Sequence, residues 1–376
     1  MTSIYVHWPF CVKKCPYCSF NSYKIDDFIN IEYWKQAYLT AINFYANRYP
    51  QKVVKTIYLG GGTPSLLPNS FVDSILTEIF SSWKVEEDVE ISIEVNPHSS
   101  NREKLHGFAQ SKINRVSIGV QSFLAEGLVL LGRTHNVEAA IEAINLSSKL
   151  FKSVSADIIY GHPGHSVEIW NEELDLALTI PIQHLSAYQL TVESNTVFGN
   201  MYKQGELLLP SEDECADMFE LTQKKMENAG FLAYEISNHA IPTHECRHNV
   251  RYWQYQDYIG IGPGAHGRIS EASCKYATLE EADPRKWASL VMANGAPPMR
   301  QEKLSLAEQA REALLMGLRM PRGLDCSALP LALEQFVRLD ALQALVDGGF
   351  LEHSDNILRA TKDGLKRLNP ILLMLL

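Results

Sequence analysis

Short apolar runs recur through the first half of the chain and alternate with longer segments of a different period. Runs rich in β-branched and aromatic residues, bounded by glycine, proline or polar clusters, predict strands. Six such runs precede residue 191: SIYVHW (3–8), TIYLGG (56–61), VEISIEV (89–95), RVSIGV (115–120), VSADIIYG (154–161) and HLSAYQL (184–190).

The intervening segments carry apolar residues at helical spacing, most clearly at 32–49, 70–83 and 137–151. A strand followed by a helix, repeated six times, is typical of a parallel β/α architecture. The strands are apolar through most of their length, as expected where both faces of a sheet are covered. The pattern therefore predicts an α/β fold with a partial (β/α)6 TIM-type barrel, and places the chemistry in loops at the carboxyl ends of the strands.

The pattern changes twice in the second half of the chain. Residues 212–237 predict a helix and a strand, and the following stretch to about residue 270 is rich in His, Tyr, Trp and Gly, which indicates loop and site. From residue 301 two helical segments precede a two-stranded wing. We therefore divide the chain into a core domain at 1–237, a connecting segment at 238–300 and a small α+β winged-helix-like domain at 301–376.

Composition limits the classes of function. The 376 residues are 46% hydrophobic and 21% charged, which is ordinary for a globular protein, and the formal net charge is −10. Residues 301–376 carry nine basic and ten acidic side chains. Nucleic-acid binding, which needs clustered Lys and Arg, is therefore disfavoured. The absence of a long apolar run and of a leader-like start predicts a cytoplasmic protein without a transmembrane segment.

Three of the seven cysteines lie in CVKKCPYCSF, residues 11–20. Cys11, Cys15 and Cys18 have the spacing C-x3-C-x2-C on a loop that leaves the first strand. Structural zinc usually takes four ligands, and no fourth Cys or His follows at finger-like spacing. A cubane cluster held by three thiolates has one iron open to another ligand. The alternative is three unrelated thiols, but the clustering favours an iron–sulfur site.

Polar or glycine residues recur where the predicted strands end. Glu94 ends the third strand, Gln121 follows the fourth and Asp157 is late in the fifth. A buried polar side chain needs a hydrogen-bond partner in the core or a ligand at the barrel mouth, and the residues leave both readings open. LGGGTPS (59–65) is either a tight turn or a place where the backbone approaches a ligand closely.

These motifs together resemble the radical S-adenosylmethionine (SAM) superfamily. The resemblance implies a 4Fe-4S cluster on Cys11, Cys15 and Cys18, with SAM bound to the open iron. It also implies a set of SAM contacts, of which the last two match loosely: Tyr5, Tyr17, Gly61, Gly62, Thr63, Glu94, Gln121, Arg133, Asp157, Thr191 and His266.

Within that superfamily, YVHWPFC, GGGTPSLL, ISIEVNP, SIGVQSF and DIIYG resemble the oxygen-independent coproporphyrinogen III oxidase group. The oxidase typically has a fourth cysteine two residues after the third, where this chain has Phe20. HNVRYW (248–253) instead matches the H-N-x-x-Y-W motif of the sister haem chaperone family, HemW. The match implies haem binding by His248, Asn249, Tyr252 and Trp253. The alternative is that His248 and Asn249 cap a turn and that the aromatic residues belong to the core.

The resemblance thus predicts a haem chaperone, and the alternative is an oxygen-independent coproporphyrinogen III oxidase. The predicted cofactors and partners are the cluster, SAM, haem and a haem-accepting protein, and a homodimer is left open. A radical enzyme that modifies RNA is disfavoured, because such a protein is expected to carry a basic surface.

Overall fold

The computed structural model describes residues 1–25 and 29–376. Up to residue 203 the chain alternates strands and helices, and each of the six predicted strands is present. The strands are β1 (Thr2–Trp8), β2 (Phe10–Cys11), β3 (Tyr23–Lys24), β4 (Val53–Gly61), β5 (Lys84–Val95), β6 (Arg115–Gln121), β7 (Ser153–Tyr160) and β8 (His184–Gln189). The helices are α1 (Ile31–Arg48), α2 (Asn69–Ser82), α3 (Arg102–Gln110), α4 (Ala125–Leu130), α5 (Val137–Ser147), α6 (Val167–Thr179) and α7 (Val197–Lys203).

Six parallel strands form the predicted partial barrel, in the order β1-β4-β5-β6-β7-β8. Side chains alternate between the two faces of each strand. In β6, Val116, Ile118 and Val120 are completely buried. The alternate residues of the same strand, from Arg115 to Gln121, line a cavity inside the barrel. The apolar faces of the strands thus belong to the hydrophobic core, and their polar faces surround the cavity inside the barrel.

Residues 204–304 extend this sheet at both edges, so the prediction of loop to about residue 270 is wrong. The elements are α8 (Glu212–Asn228), β9 (Leu232–Ala233), β10 (Asn238–Ala240), α9 (Arg247–Trp253), β11 (Tyr258–Ile261), β12 (His266–Glu271), β13 (Cys274–Glu280), α10 (Pro284–Asn294) and β14 (Met299–Leu304).

Both extensions pair with strands that are distant in sequence. β10 pairs antiparallel with β8, and β9 follows it. β11 pairs parallel with β1, and β12, β13 and β14 continue antiparallel from it. The four residues of β11 are too few to show a period, and its partner lies some 250 positions earlier, so the local pattern does not reveal this strand.

The C-terminal residues form a second unit with its own core. Its elements are α11 (Leu306–Gly317), β15 (Leu324–Asp325), α12 (Leu339–Asp347), β16 (Leu351–Ser354), β17 (Ile357–Ala360), α13 (Lys362–Lys366) and α14 (Leu368–Leu375). The predicted wing is the antiparallel pair β16 and β17, and β15 adds a third strand. Within residues 1–25 and 29–376, no helix has both the length and the apolar character to cross a bilayer.

An aromatic cluster attaches the extended sheet to the barrel. Trp34 of α1 stacks on Trp287 of α10 with ring centroids 6.0 Å apart, and Trp8 packs edge-on against Trp34. Beside them the carboxylate of Glu280 accepts hydrogen bonds from Tyr45 Oη (2.7 Å), from the Gly262 amide (3.0 Å) and from the indole nitrogen of Trp287. Glu280 therefore links α1, α10 and β13 in an apolar setting.

Glu280 predicts a pH dependence of stability. Burial raises the pKa of Glu280 from 4.5 to about 8, so the folded chain holds this proton more tightly than the unfolded chain does. The resulting stabilisation is complete below about pH 4.5 and is lost as the pH rises toward 8. We expect Glu280→Gln to reduce the fall in unfolding free energy between about pH 5 and pH 8 by about 2 to 4 kcal/mol, measured by chemical denaturation.

The control for this variant is Glu352→Gln, which removes a half-exposed carboxylate paired with Arg359 in the wing. This control should keep the wild-type pH slope. Equal slopes in wild type and Glu280→Gln would show that Glu280 does not hold the extra proton.

Candidate functional site

The three clustered cysteines lie at the carboxyl end of the barrel. Cys11 ends β2, which pairs with β3, and the Cys18 amide donates to the Cys15 carbonyl at 3.1 Å in a tight turn. All seven cysteines of the chain carry free thiols. Cys11, Cys15 and Cys18 all line one cavity of about 510 Å³ that extends into the barrel interior. The structure therefore brings the predicted trio together over a space of ligand size.

The charges around the trio suit a cluster of thiolates. Burial raises the pKa of the Cys11 thiol, and the neighbouring Cys18 and Cys15 raise it further. A hydrogen bond with the Thr63 side chain and the charge of Arg133 lower the pKa of Cys11 in opposition to this effect, and Arg133 Nη1 lies 3.5 Å from the Cys15 sulfur. Three thiolates that share one guanidinium need further positive charge, which a bound iron cluster supplies. The donor set thus fits the cluster implied by the sequence.

The glycine turn after β4 packs against the segment that carries the cysteines. The Gly62 amide donates to the Trp8 carbonyl at 2.6 Å, and the Thr63 amide donates to the Phe10 carbonyl at 2.9 Å. A Cβ at Gly62 would lie 2.8 Å from the Phe10 carbonyl oxygen, so a larger residue would displace this segment. The glycines are therefore required by the approach of two protein segments, and they also line the cavity.

Glu94 presents a carboxylate next to the same turn. It accepts from the Gly61 amide at 3.0 Å and from Tyr58 Oη at 3.1 Å. Burial raises the pKa of Glu94 to about 7, and the nearby Asp157 adds to the shift. Near neutral pH this carboxyl group is therefore poised between its acceptor form and its donor form.

Asp157, Gln121 and Arg133 occupy neighbouring strands or loops around the cavity. The Asp157 carboxylate accepts from Ser117 Oγ at 2.7 Å, and burial raises its pKa. Gln121 has a left-handed backbone with φ of 72°, which is uncommon for a non-glycine residue and occurs often at ligand sites. Arg133 donates to the Gly119 carbonyl at 2.7 Å, while its buried Nε has no hydrogen-bond partner among the described residues. A carboxylate ligand would satisfy that donor.

The structure separates the predicted SAM contacts into two groups. Tyr5 is hydrogen-bonded to His7 at 3.0 Å, and His266 is exposed at the start of β12; neither lines the cavity. The other predicted contacts all line it, namely Tyr17, Gly61, Gly62, Thr63, Glu94, Gln121, Arg133, Asp157 and Thr191.

The cavity also has polar lining residues that we did not predict. They lie on the same inner faces of the strands. The alternation of β6 carried the signal, because Arg115 and Ser117 precede Gln121 at spacings of two. Four lie deeper in the barrel than Asp157, namely Tyr58, Arg115, Ser117 and His184. Ser186 is level with Asp157, and Tyr188 lies nearer the mouth.

The HNVRYW motif forms α9, which closes the amino end of the barrel, opposite the cysteines. His248 is buried, its Nδ1 is hydrogen-bonded to Thr56 Oγ1 at 2.9 Å, and its ring lies 5.1 Å from that of Tyr58. The His248 amide donates to Glu90 at 2.9 Å. Burial lowers the pKa of His248 to about 3, so the imidazole is neutral.

The other three motif residues lie in different surroundings. Asn249 lines the barrel cavity that also contains the cysteines. Tyr252 packs edge-on against Tyr258, with ring centroids 5.3 Å apart. The guanidinium of Arg319 lies over Trp253, 4.7 Å from the ring centroid. In the part of the chain that the structure describes, the buried indole nitrogen of Trp253 has no hydrogen-bond partner. The motif thus connects the barrel interior to the C-terminal unit.

Comparison with known proteins identifies the two units of the chain. Residues 5–177 match the radical SAM superfamily, and residues 304–366 match the HemN C-terminal domain. The "Heme chaperone HemW" of Bacillus subtilis is 32% identical over 97% of this chain and 96% of its own length. That of Escherichia coli is 38% identical over 71% of this chain and 70% of its own length.

A protein of Danio rerio named "Radical S-adenosyl methionine domain-containing protein 1, mitochondrial" is 34% identical over 98% of this chain and 86% of its own length. Since relatives with mitochondrial names occur, the cytoplasmic location stays a prediction. The structure of coproporphyrinogen III oxidase (HemN) from E. coli shares the fold, with a TM-score of 0.84 at 22% identity over 99% of this chain and 89% of that one. The chain belongs to the radical SAM superfamily and, within it, to the HemW family.

Proposed function

We propose that the protein is a haem chaperone of the radical SAM type, which binds haem and passes it to an acceptor protein. The observation that carries the proposal is the similarity to the heme chaperone HemW of B. subtilis over nearly the whole of both chains. The helix that contains the HNVRYW motif supports it, because this helix carries a neutral histidine, His248, at the opposite end of the barrel from the cysteines. Haem and the cluster would therefore occupy separate sites.

Cys11, Cys15 and Cys18 would hold a 4Fe-4S cluster, and Arg133 would offset part of its negative charge. When bound, the cluster and SAM supply one-electron reductive chemistry. The residues of the chain bind and orient the cluster and SAM. Arg133 is the natural partner of the SAM carboxylate, since a guanidinium is planar and always charged. Gly61 to Thr63 would hold its amino group, and Glu94, Gln121 and Asp157 offer further polar contacts.

His248 has the features of a histidine ligand to haem iron. Its imidazole is neutral, and Thr56 fixes the orientation of the ring through Nδ1, as outer hydrogen bonds do for metal-bound histidines. Among the residues that the structure describes, none forms a hydrogen bond with its Nε2. Its Nε2 is therefore the ring nitrogen that is left to bind iron.

The alternative activity, decarboxylation of coproporphyrinogen III, is disfavoured by Phe20. This residue stands where the oxidase typically has its fourth cysteine, and 61% of its surface is exposed at the cavity that the cysteines line. An apolar side chain there offers no ligand to a metal and no hydrogen bond to a substrate carboxylate.

The cluster proposal predicts the metal content of variants. After anaerobic reconstitution the wild-type chain should contain about four iron and four sulfide per molecule. Cys15→Ala should lose most of this content, because two thiolates do not hold the cube. Cys274→Ala changes a thiol in the hairpin of β12 and β13 and should match wild type. Equal iron in the two variants would remove Cys15 from the site.

The haem proposal predicts that His248→Ala binds haem at least about tenfold more weakly than wild type, since an axial ligand is lost. Titration followed through the haem absorption band measures this. The control His353→Ala changes an exposed histidine of β16 and should bind as wild type does. Equal affinity of wild type and His248→Ala would exclude His248 as the ligand.

The same reconstituted preparation tests the alternative. Incubation with coproporphyrinogen III, SAM and a reductant without oxygen should give no vinyl product above the background of Cys15→Ala. Product formation by the wild-type chain at a rate well above that background would establish an oxidase instead.

A further inference from the structure

A second cavity, of about 690 Å³, lies at the amino end of the barrel on the outer side of α9. Arg247, Val250 and Arg251 of α9 form one wall, at the helical spacings that place side chains on a single face. β9 forms another wall, and residues 320–322 of the C-terminal unit form a third. We call this space the base cavity.

The base cavity has apolar surface that the fold leaves uncovered. Val250 and Pro321 are partly exposed in it, and so is Leu232 of β9, while the buried Met320 lies behind them. Leu232 is 52% exposed, which is a large exposure for a leucine beside other apolar groups. A ligand with a flat apolar body would cover these side chains.

The cations of the base cavity outnumber its anions. Lys55, Arg247, Arg251 and Arg322 line it, against Glu86 and Glu245. Lys55 is paired with Glu86, and Arg247 is paired with Asp88 at 2.7 Å. Arg251, Arg322 and Glu245 remain, so the cavity keeps a net positive charge that favours an anionic ligand.

The hydrogen-bond partners of Arg251 and Arg322 among the described residues are neutral. Arg251 Nε donates to Ser3 Oγ at 3.0 Å, and Arg322 meets the side-chain amide oxygen of Gln254. Within residues 1–25 and 29–376, neither forms an ion pair with a carboxylate. Burial lowers the pKa of both groups, so each carries its charge in a partly desolvated place. Two such guanidinium groups on one cavity suit two carboxylates.

We propose that the base cavity binds the carboxylate edge of haem, with Arg251 and Arg322 holding the two propionates and the apolar walls covering part of the macrocycle. The proposal rests on the haem-chaperone function and adds the location and the charge requirement of the site. A planar apolar molecule with two carboxylates matches both the exposed Leu232 and the two arginines, which pair with no carboxylate among the described residues.

Thr56 connects this cavity to the proposed iron ligand. It lines the base cavity, and its hydroxyl forms the hydrogen bond to His248 Nδ1. Haem seated on the arginines would therefore rest against the outer side of α9, the helix that carries His248. Capture by the propionates and ligation by the imidazole are two separate steps that different variants can resolve.

Two measurements on the full-length chain test the proposal. The first titrates wild type with haem and with haem dimethyl ester, in which both propionates are uncharged, in one buffer. We expect the diacid to bind at least about tenfold more tightly, because charge-assisted hydrogen bonds are lost in the ester. This measurement needs no variant and so does not depend on the folding of one.

The second measurement compares Arg251→Gln, Arg322→Gln and the double variant. Arg251→Gln should weaken haem binding about tenfold and Arg322→Gln about threefold, since Arg322 is more exposed. The double variant should bind haem and its ester equally. Arg300→Gln removes an exposed arginine of β14 outside the cavity and should bind as wild type does.

The outcomes separate the two proposals. A wild-type chain that binds haem through His248 but does not prefer the diacid overturns the base cavity alone. A double variant that keeps the wild-type preference does the same. A wild-type chain that binds neither compound overturns the haem-chaperone function as well.

Discussion

One buried carboxylate holds helix α9 in place at the amino end of the barrel. Glu90 of β5 accepts hydrogen bonds from the backbone amides of Arg247 and His248 at 3.0 and 2.9 Å, and the Cys246 sulfur lies 3.6 Å from its carboxylate. These contacts satisfy donors at the first turn of α9, which has no side-chain cap of its own. The Glu90 carboxylate thus fixes α9 across the amino end of the barrel. This helix closes the barrel interior at that end and separates the cavity that the cysteines line from the base cavity.

The sequence was sufficient for features that repeat or lie close together along the chain. The six strands before residue 191 carry apolar runs with clear borders, and the pairing of each with the next in the barrel follows from the order of parallel β/α units. The cysteine trio was visible because three ligands fall within eight residues. The wing was visible because β16 and β17 are joined by a short turn.

What the sequence concealed depends on contacts between distant segments. β11 pairs with β1, which lies at the other end of the barrel sequence, so the local pattern of a four-residue run with glycine predicted a loop. The position of His248 beneath Thr56 follows from the placement of α9, which no local pattern states. The base cavity is formed by β9, α9 and residues 320–322, and the motif in α9 did not show that the other two segments lie beside it.

The C-terminal unit does more than follow the barrel along the chain. Arg319 lies over Trp253 of α9, and the three residues after it supply a wall of the base cavity. A fragment that stopped before residue 301 would keep Cys11, Cys15 and Cys18, yet it would lack that wall and the guanidinium over the Trp253 indole. The isolated barrel and the intact chain therefore present different surfaces at this end, and binding measured on one does not describe the other.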